Sequence, residues 1–258
     1  DYDDDYYLFV FTQLDNRDAR ELLTASYFVQ ASDSRPPEYT LFNRSPIADL
    51  IERGGLQAQL VDENRRAGML TTRWNLVLNT MFTPIPRTTA AQAYRAYLGL
   101  DIAKMEGLIP VAGEPRDYDQ KGVTAAACAG CHTTLDPLSY PFTTYAGFNG
   151  GIPFTYSPGR IGILAAGPDD PLNNTPEAGV IFGQPVSNLL EWAEVAANSD
   201  AFARALTLDY WRHLMGESPR PTELNEFETL WRDLMMTHNY GVERMLHDLI
   251  DTEAYGVP

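Results

Sequence analysis

The amino-acid sequence predicts a mostly α-helical fold with one long Gly- and Pro-rich irregular region and a C-terminal helical segment. Three observations support this fold class. Apolar residues recur at a spacing of about 3.6 residues through most segments. Several of these segments start at a capping residue and end at glycine. Between Ser139 and Gly183, by contrast, glycine, proline and asparagine are frequent, so we expect a long loop region with a few short strands at most.

We divide the chain into three parts. Residues 1–44 form an acidic and aromatic N-terminal segment, in which DYDDDYYLFVFTQLD predicts a short strand or the start of a helix. Its clustered aspartates match no recognised calcium-binding loop. Residues 45–183 form the second part, which carries both cysteines. Residues 184–258 form a C-terminal helical segment that we expect to pack on the second part, with four stretches of helical periodicity.

Three helices are predicted in the first half of the second part. The stretch SPIADLIERGG is a short helix capped by Ser45. Apolar residues at helical spacing predict a second helix over residues 70–81. The stretch RTTAAQAYRAYLGL is a third helix, capped by Thr88 or Thr89 and ended by Gly99.

Length, composition and charge narrow the class of protein. The 258 residues suffice for one large domain or two ordinary ones, and no apolar run is long enough to span a membrane. The net charge of -16 excludes a nucleic-acid-binding protein and predicts a partner with a basic docking face. The chain starts at Asp1 without a basic, apolar leader, as expected of a mature product whose export signal has been removed.

Both cysteines lie in the sequence CAGCH, as Cys128 and Cys131, followed directly by His132. Thiols at this spacing bind zinc, cycle as a redox disulfide or carry a c-type haem. A structural zinc site needs four ligands, usually from two such pairs, and the chain has no second pair. A thioredoxin-like pair accompanies a βαβ unit, which the sequence does not predict. A covalent haem uses both thiols and lets the adjacent histidine bind the iron, so the motif favours one haem c.

The segments around this motif resemble a protein family. They are RAGMLTTRWNLVLNTMFTPIPRTTAAQAYRAYLGL, CAGCHTTLDPLSYPFTTYAGFNG, SDAFARALTLDYWRHLMGESPRPTE and MLHDLIDTEAYG, in that order. They resemble secreted bacterial proteins of uncharacterised function, of planctomycete and myxobacterial type, with a single central c-type haem motif. The resemblance covers roughly residues 45–256. This chain departs from the family pattern at Ser139, where the family has glycine, and at Tyr140, where it has phenylalanine. The resemblance implies haem and export but no specific activity.

The haem motif predicts roles for individual residues. Cys128 and Cys131 form thioethers and His132 is the proximal ligand, so residues 45–183 are a helical, cytochrome-c-like domain whose long loop wraps the haem. The second ring nitrogen of His132 is expected to donate to a backbone carbonyl in the turn around residues 136–138. The aromatic residues that follow either form a wall of the haem site or are ordinary core residues: Tyr140, Phe142, Tyr145 and Phe148.

The sixth iron ligand decides between electron transfer and catalysis, since a filled position favours the former and an open one the latter. We predict Met81, because it ends a predicted helix before a Pro-rich loop that can aim its side chain. Met69 and Met215 are the next candidates, followed by His213 and an open site. The remaining methionines are Met105, Met235, Met236 and Met245, and for any single methionine a role in core packing is the simpler interpretation.

These features predict an exported monohaem c-type cytochrome, in the periplasm or outside the cell. It either transfers electrons to a redox partner protein or serves as the haem module of a larger extracytoplasmic assembly. The first alternative is a haem enzyme of peroxidase or oxygenase type acting on an exported substrate. The second is a binding module in which the haem is structural.

Overall fold

The structure is a computed structural model that describes residues 3–43, 61, 63–72, 75–76, 85–104, 109–149, 152–156 and 167–256. It is mostly helical and contains three small two-stranded antiparallel sheets among the described residues. The helices are α1 (Asp3–Gln13), α2 (Glu21–Thr24), α3 (Arg87–Leu98), α4 (Ala126–Ser139), α5 (Leu189–Ala197), α6 (Asp200–Met215), α7 (Leu224–Met236), α8 (Val242–Ile250) and α9 (Glu253–Gly256). The strand pairs are β1 (Phe28–Ala31) with β2 (Tyr39–Phe42), β3 (Tyr145–Asn149) with β4 (Ile152–Tyr156), and β5 (Gly179–Ile181) with β6 (Gln184–Val186).

The mostly α prediction is therefore confirmed, and so is the expectation of short strands between residues 139 and 183. No described helix is long and apolar enough to cross a membrane. The N-terminal aromatic stretch forms the helix α1, and the predicted C-terminal helices are present. The predicted helix at residues 45–54 lies outside the described residues.

Two predicted helix features differ from the structure. The first two residues of the helix predicted over 70–81 belong to a 3₁₀ turn, Gly68–Thr71, whereas residues 75 and 76 are helical. Most of the remaining predicted helix, up to Met81, lies outside the described residues. Helix α3 begins after Pro86, and neither Thr88 nor Thr89 caps it, because both lie inside the helix. Gly99 ends α3 in the left-handed conformation, as predicted.

A cluster of aromatic side chains joins the elements around α4 to the C-terminal helices. The indole nitrogen of Trp192 on α5 donates to the Tyr94 hydroxyl on α3 at 3.1 Å, and that hydroxyl donates to the carbonyl oxygen of Val180 on β5. The Phe142 ring meets the Trp192 ring edge-on, with centroids 5.2 Å apart. Because these aromatic groups are buried and their polar atoms are paired, they fix α3, α5 and β5 against the end of α4.

The main apolar core draws on all three predicted parts of the chain. It includes Leu22 and Leu23 of α2, Tyr94 of α3, and Trp192 and Trp211 of the C-terminal helices. Helix α3 packs against α6, and α2 packs against α5. One continuous core therefore lies across residues 44 and 183. The predicted segment boundaries at these two residues stay a prediction.

Candidate functional site

The cysteine motif lies on one face of helix α4. Alanines around the motif favour the helix, which starts after the extended residue Ala125. Cys128, Cys131 and His132 stand at positions i, i+3 and i+4, which are neighbours on a helical surface. Both thiols are free, and Cys131 is exposed while Cys128 is half-buried. The three side chains are therefore neighbours on the surface of α4.

The imidazole of His132 is held by a buried carboxylate. Nδ1 of His132 lies 2.9 Å from Oδ1 of Asp136, one turn further along α4. The side chain of Asp136 is completely buried. This corrects the expectation of a backbone carbonyl partner, because the i, i+4 spacing brings the carboxylate to the ring. With Nδ1 donating to the carboxylate, the lone pair of the imidazole lies on Nε2, where it can bind a metal.

Arg87 neutralises Asp136 from another helix. Nε of Arg87 lies 2.6 Å from Oδ1 of Asp136, and a terminal nitrogen lies 2.8 Å from Oδ2, a bidentate pair. The other terminal nitrogen donates to Asp119 at 2.7 Å, and the Asp119 side chain is almost fully buried. Burial acts to lower the pKa of Arg87, but the hydrogen bonds to Asp136 and Asp119 outweigh it and raise the pKa. The guanidinium therefore stays charged between two carboxylates.

Pro137 ties the preceding loop to the motif helix. Proline has no N–H, so inside α4 it leaves the carbonyl of Thr133 without its helical donor. The backbone N–H of Val111 donates to that carbonyl at 3.1 Å, and the Thr133 hydroxyl donates to the carbonyl of Glu114. The loop is thus attached to α4 at Thr133, directly beside His132. Without the proline, the Thr133 carbonyl would be used within the helix and could not bind the loop.

Strand β5 approaches the same proline from another side. A Cβ atom at Gly179 would lie 2.3 Å from the carbonyl oxygen of Pro137 and 2.6 Å from Cδ of Pro141. Only glycine fits this contact, so the first residue of β5 sets how closely the strand packs on the end of α4.

The aromatic residues after the motif have defined partners in the core. The Tyr140 ring packs edge-on against Tyr118 with centroids 5.9 Å apart, and its hydroxyl donates to Oε2 of Glu114 at 3.0 Å. Burial, followed by the charge of Glu114, raises the pKa of Tyr140. Phe142 packs on Trp192, as described above. The side chain of Phe148 lies outside the described residues.

The candidate sixth ligands are dispersed. Met81 and Met105 lie outside the described residues. Met245 is fully buried in the main core, and Met236 is 83% exposed. Met69 and His213 line a groove of about 430 Å³ together with the C-terminal end of α3, at Ala96 and Tyr97. Met215 lines a different depression, near the C-terminus of the chain at Ala254 and Tyr255.

Helix α3 runs between the groove and the contact with Asp136. Arg87, which contacts Asp136, is the first residue of α3, whereas Tyr97, which lines the groove, is near its C-terminal end. Phe142, six residues after Asp136, lines a small cavity together with Thr89 and Tyr97. Met69 and His213 as iron ligands stay a prediction.

Sequence reasoning identified the cysteines and His132 but missed Asp136 and Arg87. The i, i+4 spacing of His132 and Asp136 was a usable signal for the first of these. No local pattern pointed to Arg87, which lies 49 residues from Asp136. Among the described residues, no three or more His, Cys, Asp or Glu side chains form a group that could hold a metal ion. Comparisons with protein families, with curated proteins and with solved structures found no match to this chain.

Proposed function

We propose that this protein is an exported monohaem c-type cytochrome that transfers electrons. The observation that carries the proposal is the arrangement on α4. Cys128, Cys131 and His132 share one helical face, and the His132 Nδ1 is engaged by Asp136, which leaves Nε2 for iron. The acidic composition and the resemblance of the flanking sequence to secreted haem proteins support export and a basic redox partner.

The residues fit covalent haem in three respects. Both thiols are free and at least partly accessible, as addition to two vinyl groups requires. His132 is adjacent to the second thiol and 22% exposed, so its ring is reachable from solvent without being loose. Its hydrogen bond to Asp136 fixes the tautomer and the ring orientation that a metal ligand needs.

A bound haem c would supply reversible one-electron transfer at its iron. The role of the chain's own residues is to keep the side chains that would bind the haem in fixed positions. Cys128 and Cys131 would anchor the group to α4, and the hydrogen bond from Val111 and the ion pair with Arg87 fix that helix on two sides. A rigid site suits electron transfer, because little then has to move when the charge changes. Met81 is the proposed sixth ligand.

The haem is tested by expressing the chain with an export signal in a bacterium that performs c-type maturation. The intact mass is expected to equal the chain plus one haem, and the band should stay haem-positive on a denaturing gel. The double variant Cys128→Ser, Cys131→Ser should lose the colour, while Ser139→Ala, in the last turn of the same helix, should keep it. Removal of all colour by acid-acetone, or the mass of the bare chain less two hydrogens, would overturn the proposal.

The electron-transfer role is tested on the same haem-loaded chain by its visible spectrum. We expect a low-spin spectrum with the weak long-wavelength band of methionine-ligated iron and no rapid reaction with carbon monoxide. A high-spin spectrum that changes at once with peroxide, cyanide or carbon monoxide would refute the carrier role and favour the haem enzyme.

A further inference from the structure

We propose that Asp136 and Arg87 act as an opposed pair of positioning residues that sets the reduction potential of an iron bound to His132. Asp136 lowers the potential and Arg87 raises it. This inference rests on the proposed function and adds a second group of residues, beyond the haem motif, that controls it.

Asp136 is placed to change the strength of the ligand. Its Oδ1 accepts from Nδ1 of His132 at 2.9 Å, and the carboxylate is shielded completely from solvent. A stronger hydrogen bond from Nδ1 to the carboxylate places more electron density on the imidazole. This raises the basicity of Nε2. A more basic ligand stabilises the more highly charged, oxidised iron, so the carboxylate favours a lower potential.

Arg87 is placed to oppose that effect. It binds the same Oδ1 at 2.6 Å that accepts from His132, so guanidinium and imidazole compete for one oxygen. A charged, bidentate partner withdraws electron density from the carboxylate and weakens its pull on the Nδ1 proton. Solvent does not screen the pair, because Asp136 is buried and the Arg87 side chain is only 20% exposed.

Asp119 competes with Asp136 for the positive charge of the Arg87 guanidinium. It binds Arg87 at 2.7 Å from the loop before α4, and its side chain is 2% exposed. One cation is thus shared between two buried carboxylates, which leaves part of the Asp136 charge for His132. A purely structural ion pair needs neither this second carboxylate nor a shared oxygen atom.

The proposal is tested by potentiometric titration of the full haem-loaded chain. Asp136→Asn keeps an oxygen acceptor of the same shape but removes its charge, so the potential should rise. Arg87→Gln removes the opposing charge, so the potential should fall. In each case we expect a change of at least tenfold in the one-electron equilibrium constant, about 59 mV. Resonance Raman should show the iron–imidazole vibration moving in opposite directions in the two variants.

Matched controls come from an exposed ion pair on and just after α3, the helix that begins with Arg87. Arg95 on α3 binds Asp101 at 3.0 Å and is 47% exposed, so Arg95→Gln and Asp101→Asn should leave the potential unchanged. Arg87→Lys keeps the charge but loses the bidentate geometry, and it should give a smaller fall than Arg87→Gln. If Arg87→Gln does not fold, Arg87→Lys takes its place in the titration.

Shifts of both variants in the same direction, or shifts no larger than those of the controls, would overturn the inference while the haem proposal stands. Absence of haem from the unmutated chain would overturn the proposed function and this inference together. The two failures are therefore distinguished by the intact mass measured before the titration.

Discussion

At the scale of single residues, the site depends on buried polar groups that each have a specific partner. Asp136 accepts from His132 and Arg87, and Tyr140 donates to Glu114. A paired, buried polar group contributes modestly to the free energy of unfolding. Removal of its partner lowers that free energy by considerably more. Substitutions at these residues are therefore expected to have larger effects than substitutions of exposed charges.

Removal of the Tyr140 hydroxyl tests one such pair. Tyr140→Phe keeps the ring against Tyr118 but deletes the donor to the Glu114 carboxylate. The free energy of unfolding should fall by about 1.5 kcal/mol, the lower end for a hydrogen bond to a charged group. Urea denaturation measures it. The control is Tyr118→Phe, whose hydroxyl meets the exposed side chain of Arg116, and an equal loss in both variants would contradict the assignment.

The proposed iron ligand Met81 gives a second prediction at this scale. Met81→Ala in the haem-loaded chain should open the sixth position, so carbon monoxide should bind rapidly to the reduced protein. Met81→His should keep the iron six-coordinate but lower the potential, since imidazole replaces a thioether. Both are followed by visible spectroscopy.

Two other methionines serve as controls for Met81. Met236→Ala, at an exposed side chain, should change neither the spectrum nor the stability. Met245→Ala should cost roughly 2–5 kcal/mol of stability, as for truncation of a fully buried side chain, without opening the iron. An unchanged spectrum in Met81→Ala would make Met81 a packing residue and return the assignment to the other candidates.

At the scale of elements, α4 is held by contacts at and around its proline. The missing N–H of Pro137 frees a carbonyl for the loop at Val111, and the Pro137 carbonyl oxygen lies against Gly179 of β5. The loop and β5 therefore pack around the second half of the helix, and the first half with its two thiols is left accessible.

Gly179→Ala should push β5 away from α4. The new methyl carbon would lie 2.3 Å from a backbone oxygen, which cannot move aside like a flexible side chain. Overpacking of this kind costs about 1–3 kcal/mol, measured as a lower urea midpoint. Gly167→Ala is the matched control, because nothing lies within 4 Å of its Cβ position, and its stability should not change. Equal stability of the two variants would show that the strand does not need this close contact.

At the scale of the whole molecule, acidic charge dominates. The chain carries 35 acidic and 19 basic residues, and a net charge of this size steers a basic partner over distances of a Debye length.

Association with a basic redox partner should weaken as salt is raised. Between roughly 0.05 and 0.5 M salt the Debye length falls severalfold, so the dissociation constant should rise, mainly through slower association. Surface plasmon resonance on the haem-loaded chain measures both rates. Acetylating the lysines of the partner, which removes their charge, should abolish most of the salt dependence. A dissociation constant that does not change with salt would refute electrostatic docking.

Local patterns in the sequence were sufficient to predict the helical class, the end of α3 at Gly99 and the C-terminal helices. These features depend on residues within one or two helical turns of each other, where spacing and capping chemistry act directly. The expected caps Thr88 and Thr89 were wrong because α3 begins earlier, after Pro86.

Only the tertiary structure decided which groups surround the motif. It brought Arg87 to the Asp136 carboxylate from 49 residues away. It also placed Met69 and His213 in one groove, which the C-terminal end of α3 lines. The physical reason is that a buried charge needs a partner wherever the chain can supply one, and helix periodicity carries no information about which distant residue packing will deliver.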